Sequence, residues 1–358
     1  MFVSLRNFKI AMISVVTGDR EIHLDDEVDA YGGDVARLER LKKATGLSRR
    51  TVVSEGITAV DLAEKAVRRL ERESNLDVGS VDACFFVTQT PDHFQPGNAA
   101  ILHGRLKMKK SVACWDVNLG CSGWVYGLVQ AGALIQSGVF RKVMLVAGDT
   151  LSRQVDPADR TTVPLFGDAA SVTILEQDEG REFTAVLGTD GEGASAIRVP
   201  AGGFRVPFSE AGEFQDAEGN PRREEYLFMD GGEVFKFTLR EVPAALDELL
   251  EKANLEKNQV DYYFFHQANA YILSNLRRRM KVEAEKVPDV TLGRYGNLSS
   301  ASIPAVICET LRKDRENPSQ GDSLKAVLGG FGVGLSWATA LTDLQGIDCL
   351  DVVTFGND

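Results

Sequence analysis

The chain has 358 residues, 44% of them hydrophobic, enough for a large core and, by length, for two units of ordinary domain size. With 40 basic against 52 acidic residues the net charge is −12, which argues against general nucleic-acid binding, since that needs a positive field. The cysteines (Cys84, Cys114, Cys121, Cys308 and Cys349) are odd in number and form no CxxC pair, so reduced thiols in a cytoplasmic compartment are expected.

The opening segment "MFVSLRNFKIAMISVVTG" lacks the apolar block and cleavage site of a signal peptide. No stretch approaches the roughly 18 consecutive apolar residues of a membrane span. The amphipathic pattern "DLAEKAVRRLERE" from Asp61 predicts a helix, and "VDACFFVTQ" from Val81 predicts a short buried strand. "RLKMKK", residues 105–110, reads as a solvated surface run. Next, "SVACWDVNLG" reads as a strand, and "CSGWVYGLVQAGALIQSG" as a helix apolar nearly all round, hence buried. On it Gly123, Gly127 and Ala131 recur every four residues, a smooth face where another helix is expected to approach closely. "KVMLVAGD" from Lys142 is a further apolar strand. The glycine-rich stretch 201–223 reads as a long excursion beside a substrate mouth.

The second half repeats this order. The helix pattern "VPAALDELLEKANL" from Val242 precedes the strand "VDYYFFHQA" from Val260, and "LKAVLGGFG" from Leu324 is the later apolar strand. Helices between such strands imply right-handed crossovers and mostly parallel sheets. The VDxxFF recurrence, half a chain apart and in the same helix–strand context, argues for duplication into two similar halves.

Cys121 lies in "DVNLGCSGW", where a strand turns into the buried helix. A packing cysteine is the ordinary reading. Free N–H groups and the macrodipole at a helix start favour a thiolate instead, and thiol pKa values at such sites fall to roughly 3.5–7.5. His266 ends the apolar strand "DYYFF", a place for either a satisfied core histidine or a catalytic group beyond a strand's carboxyl end. Asn297 sits at a glycine turn before a helix in "GRYGNLSSASIP", where it is equally an ordinary cap. "GGFGVGLSW", residues 329–337, offers backbone N–H groups to an oxyanion; it is not GxGxxG, and no helix follows it clearly.

Together "DVNLGCSGW", "FFHQAN", "GRYGNLSSASIP" and "GGFGVGLSW", with "DPADRTTVPLFGDAAS" and "MDGGEVFKF", resemble the motifs of β-ketoacyl-ACP synthase III, a condensing enzyme of the thiolase superfamily. The resemblance spans nearly the whole chain and implies an α/β fold, a duplicated thiolase fold in five layers α-β-α-β-α. The corresponding halves are 1–180, carrying the nucleophile, and 181–358, carrying His266, Asn297 and the glycine-rich oxyanion loop. It also implies a homodimer, acyl carrier protein (ACP) as partner, acyl-CoA or acyl-ACP thioesters as substrates, and no metal or other cofactor. Carried over by motif, Cys121 is the acyl-accepting nucleophile, and His266 and Asn297 stabilise the enolate formed as a malonyl thioester loses CO2. The N–H groups of Cys121 and Gly332 form the oxyanion hole. Phe94 in "PDHFQPG" matches an aromatic residue that crosses the dimer interface to the partner's acyl pocket. Arg160, Gly231 and Asn269 fall on CoA or pantetheine positions.

Two departures from the family pattern matter. Arg40 stands where many members carry a tryptophan that stacks on adenine, and Ala44 where they carry a basic residue, so half of the adenine clamp is missing. Tyr271 replaces an arginine that docks the carrier, and Arg277, Arg278 and Arg279 are the candidate substitute patch. A non-condensing acyltransferase would have less need of Asn297, and a non-catalytic dimer partner would be expected to lose one of Cys121, His266 or Asn297. All three are present. A degradative thiolase needs a second cysteine in the glycine-rich segment, and "GGFGVG" has none.

Overall fold

A computed structural model describes residues 1–217, 219–315 and 323–356. In chain order the elements that carry the site are strand β1 (Phe2–Thr17) and helices α1 (Val35–Thr45) and α2 (Ala59–Glu73). They continue with β2 (Ala83–Val87), α3 (Asn98–Leu106), β3 (Ala113–Val117), α4 (Gly123–Gln136), β4 (Lys142–Asp149) and β5 (Ala169–Thr189). The second half supplies α5 (Gly231–Ala253), β6 (Tyr262–Phe265), α6 (Ala270–Met280), α7 (Ser302–Arg315), β7 (Lys325–Gly332) and β8 (Ser336–Asp343).

These strands make a sheet with two groups that share a long ladder. β2 runs parallel to β3 and β4, and β4 pairs antiparallel with the first part of β5. β6 runs parallel to β7, β7 pairs antiparallel with β8, and β8 with the last part of β5. β1 lies antiparallel along β5 from Thr17↔Ala169 to Phe2↔Val186, so residue 180, the expected junction of the halves, lies inside one strand. Each VDxxFF strand therefore lies parallel to a later apolar strand, which in turn pairs antiparallel with the strand that follows it. The sheet is mixed rather than mostly parallel, because this shared antiparallel ladder joins the two groups.

Continuous apolar strands arise because both faces are covered. Phe85 and Val87 of β2 enter a central core with α4, α7 and residues of β6, β7 and β8, whereas Cys84 and Phe86 face α2 and α3. Tyr263 and Phe265 of β6 face α5 and α6. Five layers result, with α4 and α7 in the middle. Helix starts follow local chemistry: Thr58 and Asp61 form a capping box on α2, and the Asp116 carboxylate accepts the Asn98 and Ala99 N–H groups at 2.6 and 2.8 Å. The glycine face of α4 meets strands instead of another helix. A Cβ on Gly123 would come 2.4 Å from Val87 Cγ1, and one on Gly127 2.5 Å from Leu145 Cδ1. Residues 105–110 expose their basic side chains, as expected, over buried Leu106 and Met108.

Candidate active site

Cys121 sits just ahead of Ser122, the cap residue of α4, and the start of that helix is tied to the β7–β8 turn. Ser122 Oγ and Ser336 Oγ lie 2.7 Å apart, and Ser336 Oγ donates to the Val333 carbonyl at 2.7 Å. This tie brings Gly332 against the nucleophile: a Cβ there would stand 3.0 Å from Cys121 Cβ and 3.2 Å from Sγ. Glycine is needed here for close approach.

His266 follows β6, with its N–H on the Gly329 carbonyl at 2.8 Å. Its ring is buried, and Nδ1 lies 2.7 Å from Ser302 Oγ, at the start of α7. Burial lowers its pKa to about 3, against an opposing contact with the Ser299 backbone, so the imidazole is neutral across the physiological range. Asn297 is carried in by backbone bonds to the other half of the chain: its N–H donates to Leu165 O at 2.8 Å, and its carbonyl accepts from Gly167 N at 3.0 Å. Its Oδ1 accepts the Ser299 N–H at 2.9 Å, which turns the Nδ2 end outward as a donor.

Cys121, His266, Asn297 and Gly332 line one cavity of about 110 Å3, together with Gly231 and Asn269. Apart from Gln89 the rest of its wall is apolar, led by Leu151, Phe166, Leu227 and Phe331, and among the described residues no charged side chain lines it. The expectation of a resting thiolate is corrected. Burial, with a smaller contribution from Asp149, pushes the Cys121 thiol up to about 12. In this apolar wall the cost of desolvating the charge outweighs what the helix start supplies. Among the described residues no group of three or more His, Cys, Asp or Glu is placed to hold a metal ion, and no helix is long and apolar enough to cross a membrane.

Other expected residues lie apart from this cavity. Phe94 is 73% exposed and lines a separate groove with Phe204, whose ring centroid is 6.0 Å away, and with Phe208 from the 201–223 excursion. Gln89 borders both the groove and the cavity. Arg160 is exposed, and its carbonyl accepts from Tyr31 Oη at 3.5 Å. Arg277 faces Asp289 at 3.7 Å, Arg278 donates to Asn275 at 2.6 Å, and Arg279 is exposed. Arg40 is exposed beside Asp34, and Ala44 is exposed as well.

Residues missed in the sequence are Gln89, Ser299 and Ser302. Gln89 Nε2 donates to Ser299 Oγ at 3.0 Å, and Ser299 Oγ lies 3.9 Å from Cys121 Sγ. Ser299 and Ser302 stand inside the quoted asparagine motif, but only the fold shows which sulfur and which ring they meet.

The chain is similar to known proteins along most of its length. The family profile described as 3-oxoacyl-[acyl-carrier-protein (ACP)] synthase III matches residues 115–191, and its C-terminal profile matches 250–344. A β-ketoacyl-[acyl-carrier-protein] synthase III of Streptococcus suis is 34% identical over 307 residues, 86% of this chain and 90% of its own. The crystal structure of a 3-oxoacyl-(acyl-carrier protein) synthase from Burkholderia xenovorans superposes with a TM-score of 0.91 at 36% identity, covering 99% of each chain. The priming β-ketosynthase of the R1128 polyketide pathway reaches 0.80 at 25% identity, covering 95% of this chain and 96% of its own. The chain belongs to the 3-oxoacyl-[acyl-carrier-protein] synthase III family and is a condensing enzyme with the duplicated, five-layered thiolase fold.

Proposed function

We propose that the enzyme joins a Cys121-bound acyl group to malonyl-ACP by decarboxylating Claisen condensation, in fatty-acid initiation or a specialised ketide pathway. The observation that carries this reading is one uncharged cavity holding Cys121, His266, Asn297 and Gly332. In the first half-reaction Cys121 Sγ attacks the primer thioester. The N–H groups of Cys121 and Gly332 receive the oxyanion, and the donor's thiol leaves with the proton. In the second, the bond from the malonyl carbon to CO2 breaks and its electron pair passes into an enolate. In this reading Ser302 Oγ, 2.7 Å from His266 Nδ1, is the donor to that nitrogen, so that Nε2–H faces the enolate oxygen beside Asn297 Nδ2. The enolate carbon then attacks the acyl carbonyl, and the Cys121 thiolate departs. With no cationic wall to hold the malonyl carboxylate, CO2 is free to leave.

ACP is the proposed donor and acceptor surface, since Arg40 and Ala44 leave half of the adenine clamp unfilled while Arg278 and Arg279 stay exposed. No resident cofactor is needed for these steps. A cytoplasmic homodimer, with the exposed Phe94 reaching the partner's acyl pocket, completes the reading. Asn297→Ala tests it. Labelled CO2 release should fall about 100- to 1,000-fold, the usual cost of one lost oxyanion donor, while Cys121 still loads. Unchanged CO2 release would favour a non-condensing acyltransferase.

A further inference from the structure

We propose that the Ser299 hydroxyl is the group that receives the Cys121 thiolate, with Gln89 setting its direction. The proposal rests on the reading of Cys121 as nucleophile. Ser299 Oγ is 3.9 Å from Sγ, within reach of a hydrogen bond to sulfur, and the same oxygen accepts from Gln89 Nε2 at 3.0 Å. A hydroxyl has one proton, and beside a thiolate, which can only accept, that proton turns to the sulfur while Gln89 occupies a lone pair. Gln89 is itself anchored. Its backbone N–H donates at 2.8 Å to the buried Asp149, which also accepts from Thr88 Oγ1 at 3.0 Å and Ser300 Oγ at 3.2 Å.

The backbone at Ser299 points the same way. Its φ of 51° lies in the left-handed region, uncommon for a residue with a side chain, and the residue is fully buried. Such strain persists where the surroundings over-determine it, typically at sites of chemistry. Here one turn sets both Asn297 Oδ1, through the Ser299 N–H, and the hydroxyl beside the sulfur. Among the described residues, the titratable groups around the thiol supply no positive charge. His266 is neutral, and Asp149 disfavours a second anion. The thiolate therefore depends on neutral donors, the Ser299 hydroxyl and the amides at the start of α4.

The experiment follows iodoacetamide alkylation of Cys121 against pH in the full chain, read by peptide mass so that partly exposed Cys114 does not contribute. Ser299→Ala should displace the rise of the profile by about one pH unit to the alkaline side, slowing alkylation about tenfold below the midpoint, as expected for one lost hydrogen bond to a charged group. Ser299→Gly should give the same displacement while tolerating the positive φ, so that the effect is not a folding defect. Gln89→Leu should displace it less, in the same direction. Profiles for both Ser299 variants that coincide with wild type, or move to the acid side, would overturn the proposal. Failure of wild-type Cys121 to accept any acyl group would instead refute the condensing reading, so the two outcomes are separable.

Discussion

Gly332→Ala probes the oxyanion hole through a contact whose size the structure sets. The added methyl would stand 3.0 Å from Cys121 Cβ and 3.2 Å from Sγ. Carbon atoms rest at about 3.5–4.0 Å, so Cys121 or the end of β7 must retreat by roughly 0.5–1 Å. A misplacement of about 1 Å at a reacting centre costs on the order of 100-fold, and losing one oxyanion donor costs about 100- to 1,000-fold. Overpacking of this kind destabilises a fold by only about 1–3 kcal/mol, so the variant should remain folded. The assay is the rate of acyl-enzyme formation by intact mass, beside a thermal melt. Acylation at the wild-type rate in a folded Gly332→Ala protein would refute the assignment of Gly332 and the close approach from which it is argued.

Cys121→Ala should abolish the acyl adduct yet keep some malonyl decarboxylation, because His266 and Asn297 remain; mass spectrometry and CO2 release read the two separately. His266, with a pKa lowered by burial to about 3, binds its proton first in the unfolded chain, where the group titrates near 6.5. Its contribution to stability is therefore present above about 6.5 and lost as pH falls toward 3, with a limiting slope of about 1.4 kcal/mol per pH unit. Asp168 is pushed up by burial to about 6 against its usual 3.8, so it acts in the opposite sense between those values, and unfolding curves of His266→Asn and Asp168→Asn measured against wild type should differ in sign there. Exchanging Arg278 and Arg279 for Glu should lower kcat/KM for acyl-ACP more than for the matching acyl-CoA, with the difference shrinking at high salt; equal losses on both donors would remove the docking role.

Much of this architecture is legible in the chain because burial on both faces writes itself as unbroken apolar runs. Ala83 to Val87 and Tyr262 to Phe265 are such runs, and the glycine-flanked turn at Cys121 has a local signature. β1 has none. It ladders with β5 along a shared seam, with register shifts between Arg6 and Phe8 and between Ile10 and Met12, so no single alternation runs through it. Helix α5 begins at Gly231, well before the expected start at Val242, since its paired glycines and internal Pro243 obscure a start that the Asp230 cap secures. The environment of Cys121 is likewise a tertiary property. Burial in a wall that includes Leu151, Phe166 and Phe331 raises its pKa, and Ser299 and Gln89 come to it from distant parts of the chain.

The central claim is that Cys121 carries the primer acyl group into a condensation driven by loss of CO2. Intact-mass analysis against a panel of acyl-CoA and acyl-ACP donors, with malonyl-ACP added afterwards, tests it most directly. One acyl adduct per chain should form, mapped to Cys121 and faster from acyl-ACP. On adding malonyl-ACP that adduct should disappear in step with CO2 release and the appearance of a β-ketoacyl-ACP. No adduct from any donor, an adduct on another residue, or an acyl-Cys121 discharged without loss of CO2 would contradict it.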